Sequence, residues 1–378
     1  MPLGCGQSRK ALVMKMKKGH KQLLRVIQLI VPLLACLLTS CQNTIVEQSQ
    51  PLESEILFID DPFESGTNSN TEILGWLSHG PESPVLDSNG LRVPYEYNGG
   101  SFSLEYHVCA TGSAKNVGFL LFLDGIPQPY RVNGQGNEDY MHTFELEEDD
   151  QTYPFSFVFT PVKGKAGETL KLKVYSIYYA QFQPDMVTSS SYGLYHDTVE
   201  MTLEIIFNTD TDTNVSEADV SIVEALTSIS ITSENMTNEF ISKRIENGFE
   251  ANDQSMKDRL EDMVFSFIDY DGKYILDNLK ISGQDKIHIT YQMVGKPGAT
   301  YRLSVFGNHR PMTDGETVAW TVTLSKGKIA SFEADIKVAE LGDFTTFYVF
   351  ACPIQEDNSS SLLGTKTNSI LLYKEVSK

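Results

Sequence analysis

The chain has 378 residues, 41% of them hydrophobic, 10% aromatic and 21% charged, which is enough for two or three domains with real cores. Fifty acids face 30 bases, and residues 1–40 hold seven of those bases and no acid, so the chain from residue 41 onward carries −27. That balance disfavours a nucleic-acid groove and any electrostatic grip on anionic lipid.

The N-terminus reads as an address. Lys15, Lys17, Lys18, Lys21 and Arg25 form a basic stretch, and Val26–Leu38 is an apolar run broken only by Gln28 and Pro32. As a helix that run spans roughly 20 Å, short of the ~30 Å hydrocarbon core, so it suits a signal-peptide h-region better than a stable membrane span. Leu38-Thr39-Ser40-Cys41 follows. Charge, apolar run, small residues and cysteine in this order resemble a bacterial lipobox. The resemblance covers the signal and its junction. It implies that the Cys41 thiol takes a diacylglyceryl group, that residues 1–40 are removed, and that the body sits on the outer face of the cell membrane or at an outer membrane. Two acyl chains hold firmly where one does not, at about 0.8 kcal/mol per buried methylene. Gln42 stands where an Asp would resemble an inner-membrane retention signal. Of the remaining cysteines, Cys5 and Cys36 leave with the signal, and Cys109 and Cys352 are expected to be buried free thiols. There is no CxxC pair.

Residues 41–54 are polar and read as a tether. From about Ile56 the chain is strand after strand. Phe102, Leu104, Tyr106, Val108 and Ala110 alternate with Ser103, Glu105, His107 and Cys109, the period of a half-buried strand. Phe119–Leu123 is continuously apolar and ends on Asp124-Gly125. Phe155, Phe157 and Phe159 alternate again, as do Leu170, Leu172 and Val174, and then Met201, Leu203, Ile205 and Phe207. Residues 209–220 are polar and hold no base, a linker. The second half repeats the style, with a hairpin expected at Phe265–Leu276 around Asp271-Gly272. Only Ser255–Met263 reads as helix. The expectation is an all-β chain of two tandem antiparallel β-sandwiches behind the signal peptide, at 55–208 and 221–378. In general style these resemble the immunoglobulin-like or fibronectin-like modules of bacterial surface proteins, a likeness that transfers no functional residue.

The halves also align with each other. Tyr106 and Tyr291 are 185 residues apart; Phe122 with Phe306, and Pro127 with Pro311, are 184 apart. Phe155 then pairs with Phe332 at 177, and the same offset pairs Leu172 with Val349.

Chemistry is harder to find. Asp210, Asp212 and Asn214 have calcium-loop spacing, but Val215 and Ser221 stand where the loop needs Gly and a bidentate Glu. His79, His107, His142 and His196 are scattered. GxSxG, HExxH and P-loop motifs are absent. Glu145, Glu147, Glu148, Asp149 and Asp150 form an acidic patch that reads first as solubility. No metal or cofactor site is expected. The best binding candidate is segment 175–195, whose tyrosines lie among Gln and Ser, the composition of adaptable binding loops. Tyr178, Tyr192 and Tyr195 are expected to stand out from the strands, joined by Phe182 and Trp76, as a platform for a glycan or a surface protein. Tyr175 and Tyr179 are expected to be core. The function expected is therefore a lipid-anchored, non-catalytic binding module. The alternatives are a cell-surface glycan hydrolase with a spatial carboxylate pair and a transport-associated solute-binding lipoprotein, whose body would be α/β.

Overall fold

The computed structural model describes residues 75–184, 192, 195–211, 222–244, 260, 262–355 and 362–374. The signal segment, Cys41, the tether and residues 212–220 of the linker lie outside the described residues, as does most of the expected helix at 255–263. What is described is built almost wholly of strands.

In chain order the N-terminal half holds β1 (Leu77–Pro81), β2 (Tyr95–Tyr97), β3 (Phe102–Ala110), β4 (Asn116–Leu123), β5 (Ile126–Gln128), β6 (Tyr130–Val132), β7 (Gln135–Asp139), β8 (Met141–Glu145), β9 (Thr152–Phe159), β10 (Thr169–Tyr178) and β11 (Thr198–Phe207). They form two sheets, β1-β3-β9-β6-β7 and β2-β11-β10-β4-β5, with β8 also on β4. The alternating residues of β3 and β9 meet those of β4, β10 and β11 in one core that contains Tyr106, Phe119, Phe157, Val174 and Phe207. This is a sandwich, with the apolar faces of the two sheets packed against each other.

The C-terminal half holds β12 (Leu226–Asn235), α1 (Asn238–Arg244), β13 (Val264–Tyr270), β14 (Asn278–Lys280), β15 (Lys286–Gly295), β16 (Thr300–Gly307), β17 (Arg310–Pro311), β18 (Trp320–Thr323), β19 (Lys328–Lys337), β20 (Phe344–Gln355), β21 (Thr365–Lys366) and β22 (Ile370–Tyr373). Its sheets are β12-β19-β15-β13 and β14-β22-β20-β16-β17, the latter with β18 on β16 and β21 on β20. They enclose a second core around Tyr291, Val305, Phe332 and Val349. The all-β body differs from the α/β architecture that the transport reading requires.

The two sandwiches share the order and register of their central strands, and differ at one edge, where β6 and β7 flank β9 but β12 flanks β19. Tyr106 faces Phe155 across β3 and β9, and Tyr291 faces Phe332 across β15 and β19. The small outer strand is parallel in both, β2 on β11 and β14 on β22. Register also corrects one sequence pairing. Leu121 faces Val174, while its counterpart Val305 faces Val349, so Val174 corresponds to Val349 and the pairing of Leu172 with Val349 is two residues out. A slip of two keeps every side chain on its face, so alternation alone does not detect it.

Two local expectations also change. Asp271-Gly272 is a tight turn, but only Tyr270 and Lys273 bridge across it, and β13 pairs with β15 instead. Tyr274 and Leu276 after the turn are exposed as the chain crosses to the other sheet. Helix α1 was not anticipated. The Thr237 hydroxyl caps the Phe240 amide, Lys243 bonds Glu239 one turn back, and Phe240 packs on Phe267.

The sandwiches are joined face to face. In β4, Val117, Phe119, Leu121 and Leu123 enter the N-terminal core, while Leu120 and Phe122 point the other way. In β20, Phe347, Val349 and Ala351 enter the C-terminal core, while Tyr348, Phe350 and Cys352 point away. These outward rows, with Tyr175, Ile177, Ala180 and Phe306, form a separate buried layer between the sandwiches. Phe122 packs 4.9 Å from Phe350, ring centre to ring centre, and Tyr175 4.5 Å from Phe350. The continuous apolar run Phe119–Leu123 is thus a strand buried on both faces.

Candidate functional site

The seam is pinned by polar groups at several points. Lys173, its side chain 2% exposed, lies 2.7 Å from the Glu200 carboxylate. Glu200 also accepts from the Gly364 amide of the C-terminal sandwich at 2.9 Å. A buried, paired and hydrogen-bonded charge is tolerated where an unpaired one is not.

Each sandwich also sends a two-residue turn across the seam. Asp124-Gly125 closes β4–β5 and Asn308-His309 closes β16–β17. All four residues have positive φ, at 48°, 76°, 50° and 63°, the signature of a type I′ hairpin. At the first turn Arg302 of the C-terminal sandwich bonds both the carbonyl and the carboxylate of Asp124, and Lys163 adds a third contact at 2.6 Å. At the second turn His309 reaches the aromatic segment. Its Nε2 donates to the Ala180 carbonyl at 2.6 Å, and its Nδ1 lies 3.0 Å from the Tyr348 hydroxyl.

The aromatic segment leaves β10 at Tyr178, and its neighbour Tyr179 is also left-handed, φ 47°. Tyr178 is half-buried against the N-terminal core. Phe182 and Tyr195 pack 4.2 Å apart between ring centres, tilted by 45°, and both are half-buried. Tyr192, expected to stand out, is instead buried at 2% exposure. Its hydroxyl is 2.6 Å from Thr346 Oγ1 across the seam, and burial pushes its phenol up to about 12. It is an anchor of the joint, and its ring surface is already used. Trp76 is 40% exposed, but it precedes β1 in the sheet away from the seam and does not extend the ring pair. Tyr175 is buried as expected, though in the seam layer rather than in a sandwich core. Tyr179 is only half-buried. Cys41, the lipidation candidate, lies outside the described residues.

Behind the ring pair sits His196, which sequence reading set aside as scattered. It is left-handed, φ 63°. Its Nε2 donates to the Tyr179 carbonyl at 2.9 Å and its Nδ1 lies 2.9 Å from Ser369 Oγ of the C-terminal sandwich. Its ring centre is 4.5 Å from that of Tyr192 and 5.4 Å from that of His309. Burial pushes His196 down to about 2 and His309 down to about 4. Lys366 lies over the Tyr348 ring at 4.6 Å, bonds Ser369 and the Thr367 carbonyl, and is pushed by burial down to about 7.

Two open depressions flank this segment. One, about 450 Å³, is lined by Tyr195, Asp197, Asp277, Lys366 and Asn368 among others. The second, about 620 Å³, is lined by Phe182, Gln181, Gln183, Asn308 and Phe344, with the Arg310–Asp139 ion pair, 2.7 Å long, on its wall. Rings beside hydroxyls, amides and carboxylates suit a hydroxyl-rich ligand: ring faces take C–H surfaces and the polar groups take O–H. Among the described residues no three His, Cys, Asp or Glu side chains gather as a metal cluster. Asp210 of the calcium-like spacing accepts from the Ala166 amide, and Asp212 and Asn214 lie outside the described residues.

No family model matches the sequence, and no curated protein matches it. Among solved structures, the C-terminal domain of the Streptococcus agalactiae AgI/II polypeptide BspA aligns at 11% identity over 79% of this chain and 99% of its own, with a TM-score of 0.17. The collagen adhesin CNA of S. aureus aligns at 7% identity over 80% of this chain and 94% of its own, TM-score 0.15. The CupB6 tip adhesin of Pseudomonas aeruginosa does so at 7%, over 79% and 97%, TM-score 0.13. At these scores the likeness carries no argument, and the all-β sandwich architecture rests on the strand pairing itself. Among the described residues no helix is long and apolar enough to cross a membrane.

Proposed function

We propose that the chain is a lipid-anchored extracytoplasmic protein whose paired sandwiches form a non-catalytic binding module, with the Phe182–Tyr195 rim at the seam as its contact for a glycan or a surface protein. The anchoring half rests on the run from Lys15 to Cys41. The binding half rests on one observation: two packed rings, tilted by 45°, stay half-buried between two open depressions at the edge of the seam. Rigid rings at an open rim contribute to binding at little entropic cost. A glycan array and a cell-wall capture with the purified protein test it. Tyr195→Ala should weaken capture by about tenfold or more, the size of a hot-spot ring, with an unchanged melting temperature. Capture that survives both Tyr195→Ala and Phe182→Ala moves the site elsewhere. Cys41→Ser should abolish fatty-acid labelling and release the protein from the membrane; a variant that stays membrane-bound refutes the anchor.

A further inference from the structure

We infer that His196 and His309 form a proton-sensitive clasp that closes the seam over the aromatic segment at neutral pH and lets it go on mild acidification. The geometry comes first. A carbonyl oxygen only accepts, so the Nε2 atoms bonded to Tyr179 O and Ala180 O carry the protons. Each Nδ1 is then an acceptor, taking its hydrogen bond from Ser369 and from Tyr348. Both rings are neutral and fully satisfied, and together they tie two consecutive carbonyls of the aromatic segment, Tyr179 O and Ala180 O, to the C-terminal sandwich.

A second proton reverses both Nδ1 hydrogen bonds and adds positive charge at a buried, crowded place. Nδ1–H of His196 would have to donate to Ser369 Oγ, which already accepts from Lys366 at 3.0 Å. Nδ1–H of His309 would have to donate to a Tyr348 hydroxyl whose ring already carries Lys366. Two imidazolium rings would stand 5.4 Å apart beside that ammonium. The opposing groups are Asp197 and Asp277, which line the depression next to His196, and Asp139, which is spent on Arg310. Tyr192 and Tyr348 bring buried phenols and no charge. Burial outweighs the carboxylates, and the downward shift of both rings follows the same direction. The backbone is over-determined at the same place: Tyr179, His196, Asn308 and His309 are all left-handed non-glycines, a conformation held only while its surroundings hold it. Released carbonyls and relaxed φ angles make the open state accessible once the rings charge.

The clasp is a property of the seam and stands without any ligand; that it also regulates capture by Phe182 and Tyr195 rests on the proposed function. Amide exchange in the purified full-length protein, corrected for intrinsic rate, reads it directly. Between about pH 7.5 and pH 5 the amides of residues 178–184 and 195–198 should lose roughly tenfold or more of their protection, while those of β15 stay within about twofold. In the His196→Gln/His309→Gln double variant the side-chain amides keep the Nε2-type donors but do not titrate, and the loss should fall to within about threefold. A flat wild-type profile overturns the clasp, and so does a double variant that loses protection as wild type does. Should the double variant not fold, the wild-type imidazole resonances decide: both rings should charge only together with loss of loop protection, and a ring that charges near its ordinary value with the loop still protected refutes it.

Discussion

Asp124-Gly125 and Asn308-His309 hold the same place in the two sandwiches, 184 residues apart, with the same left-handed backbone and the same duty of reaching across the seam. They do it by opposite chemistry. The first turn has glycine where φ is 76° and is fastened by charge, Arg302 and Lys163 on Asp124. The second has a histidine where a type I′ turn favours glycine; His309 itself is fastened by neutral hydrogen bonds, and the ion pair at this end, Arg310 on Asp139, lies one residue beyond the turn. The difference teaches that the two ends of one seam answer to different conditions. Both ends carry an ion pair that answers to ionic strength, and the His309 end adds a response to protons.

The largest effect should come from removing what both ends share. Phe122→Ala empties a fully buried position between Tyr175, Phe306 and Phe350. A loss of about 3–5 kcal/mol is expected in denaturant unfolding. The separate cores around Tyr106 and Tyr291 should then unfold as two transitions instead of one. A single transition at nearly unchanged midpoint would mean that the turns alone hold the seam.

The glycine turn comes next. A Cβ on Gly125 would lie 2.6 Å from Ile354 Cγ2 and 3.0 Å from Arg302 Cβ, in a backbone that side chains rarely adopt. Gly125→Ala should destabilise by about 2 kcal/mol, part conformational and part from pushing Arg302 off Asp124. Arg302→Ala separates the two parts: it should remove roughly 1–2 kcal/mol and depend on salt more steeply than Gly125→Ala, whose conformational part does not. Equal salt dependence in the two variants would mean that the Gly125→Ala effect runs wholly through the Arg302–Asp124 ion pair.

Much of this molecule is legible in its sequence. The alternation in β3 and β9 identifies one sheet face of the first sandwich, and the common offset of 184 locates both turns and both prolines behind them. Even the seam has a trace: Phe119–Leu123 and Phe347–Cys352 are apolar at every position because both faces are buried. What alternation does not reveal is which ring outside the strands meets which partner. Tyr192 has the polar neighbours of an exposed ring, yet its hydroxyl finds Thr346 154 residues away. His309 finds the Ala180 carbonyl 129 residues away. A side chain whose partner lies in the other domain leaves no local signal, and the candidate site is made mostly of such pairs.

Acid should separate the ends more finely. The folded values of His309 and His196 lie below the ordinary 6.5, so the unfolded chain binds more protons and stability falls as pH drops from about 6.5 toward 4. His79, which bonds Tyr106 inside the N-terminal sandwich and is pushed by burial down to about 4, adds a loss of the same sign. A melting series should therefore fall over that window in wild type, and Arg302→Ala should leave the slope unchanged. A slope that vanishes in Arg302→Ala would assign the acid response to the wrong turn.

The smallest effect at neutral pH is the most discriminating. His309→Gly makes the second turn resemble the first. It removes a left-handed side chain, a gain of about 1 kcal/mol, and deletes two hydrogen bonds, a loss of about 1–2 kcal/mol. At about pH 7.5 the two nearly cancel, and the melting temperature should move by only a few degrees. At about pH 5 the wild type has lost on the order of 1–2 kcal/mol at this ring while the glycine variant has no ring to charge. The variant should then be the more stable of the two, so the sign of its effect reverses between the two pH values. A variant that is worse at both would show that the His309 hydrogen bonds outweigh its proton sensitivity, and that the second turn is a fastener of the same kind as the first.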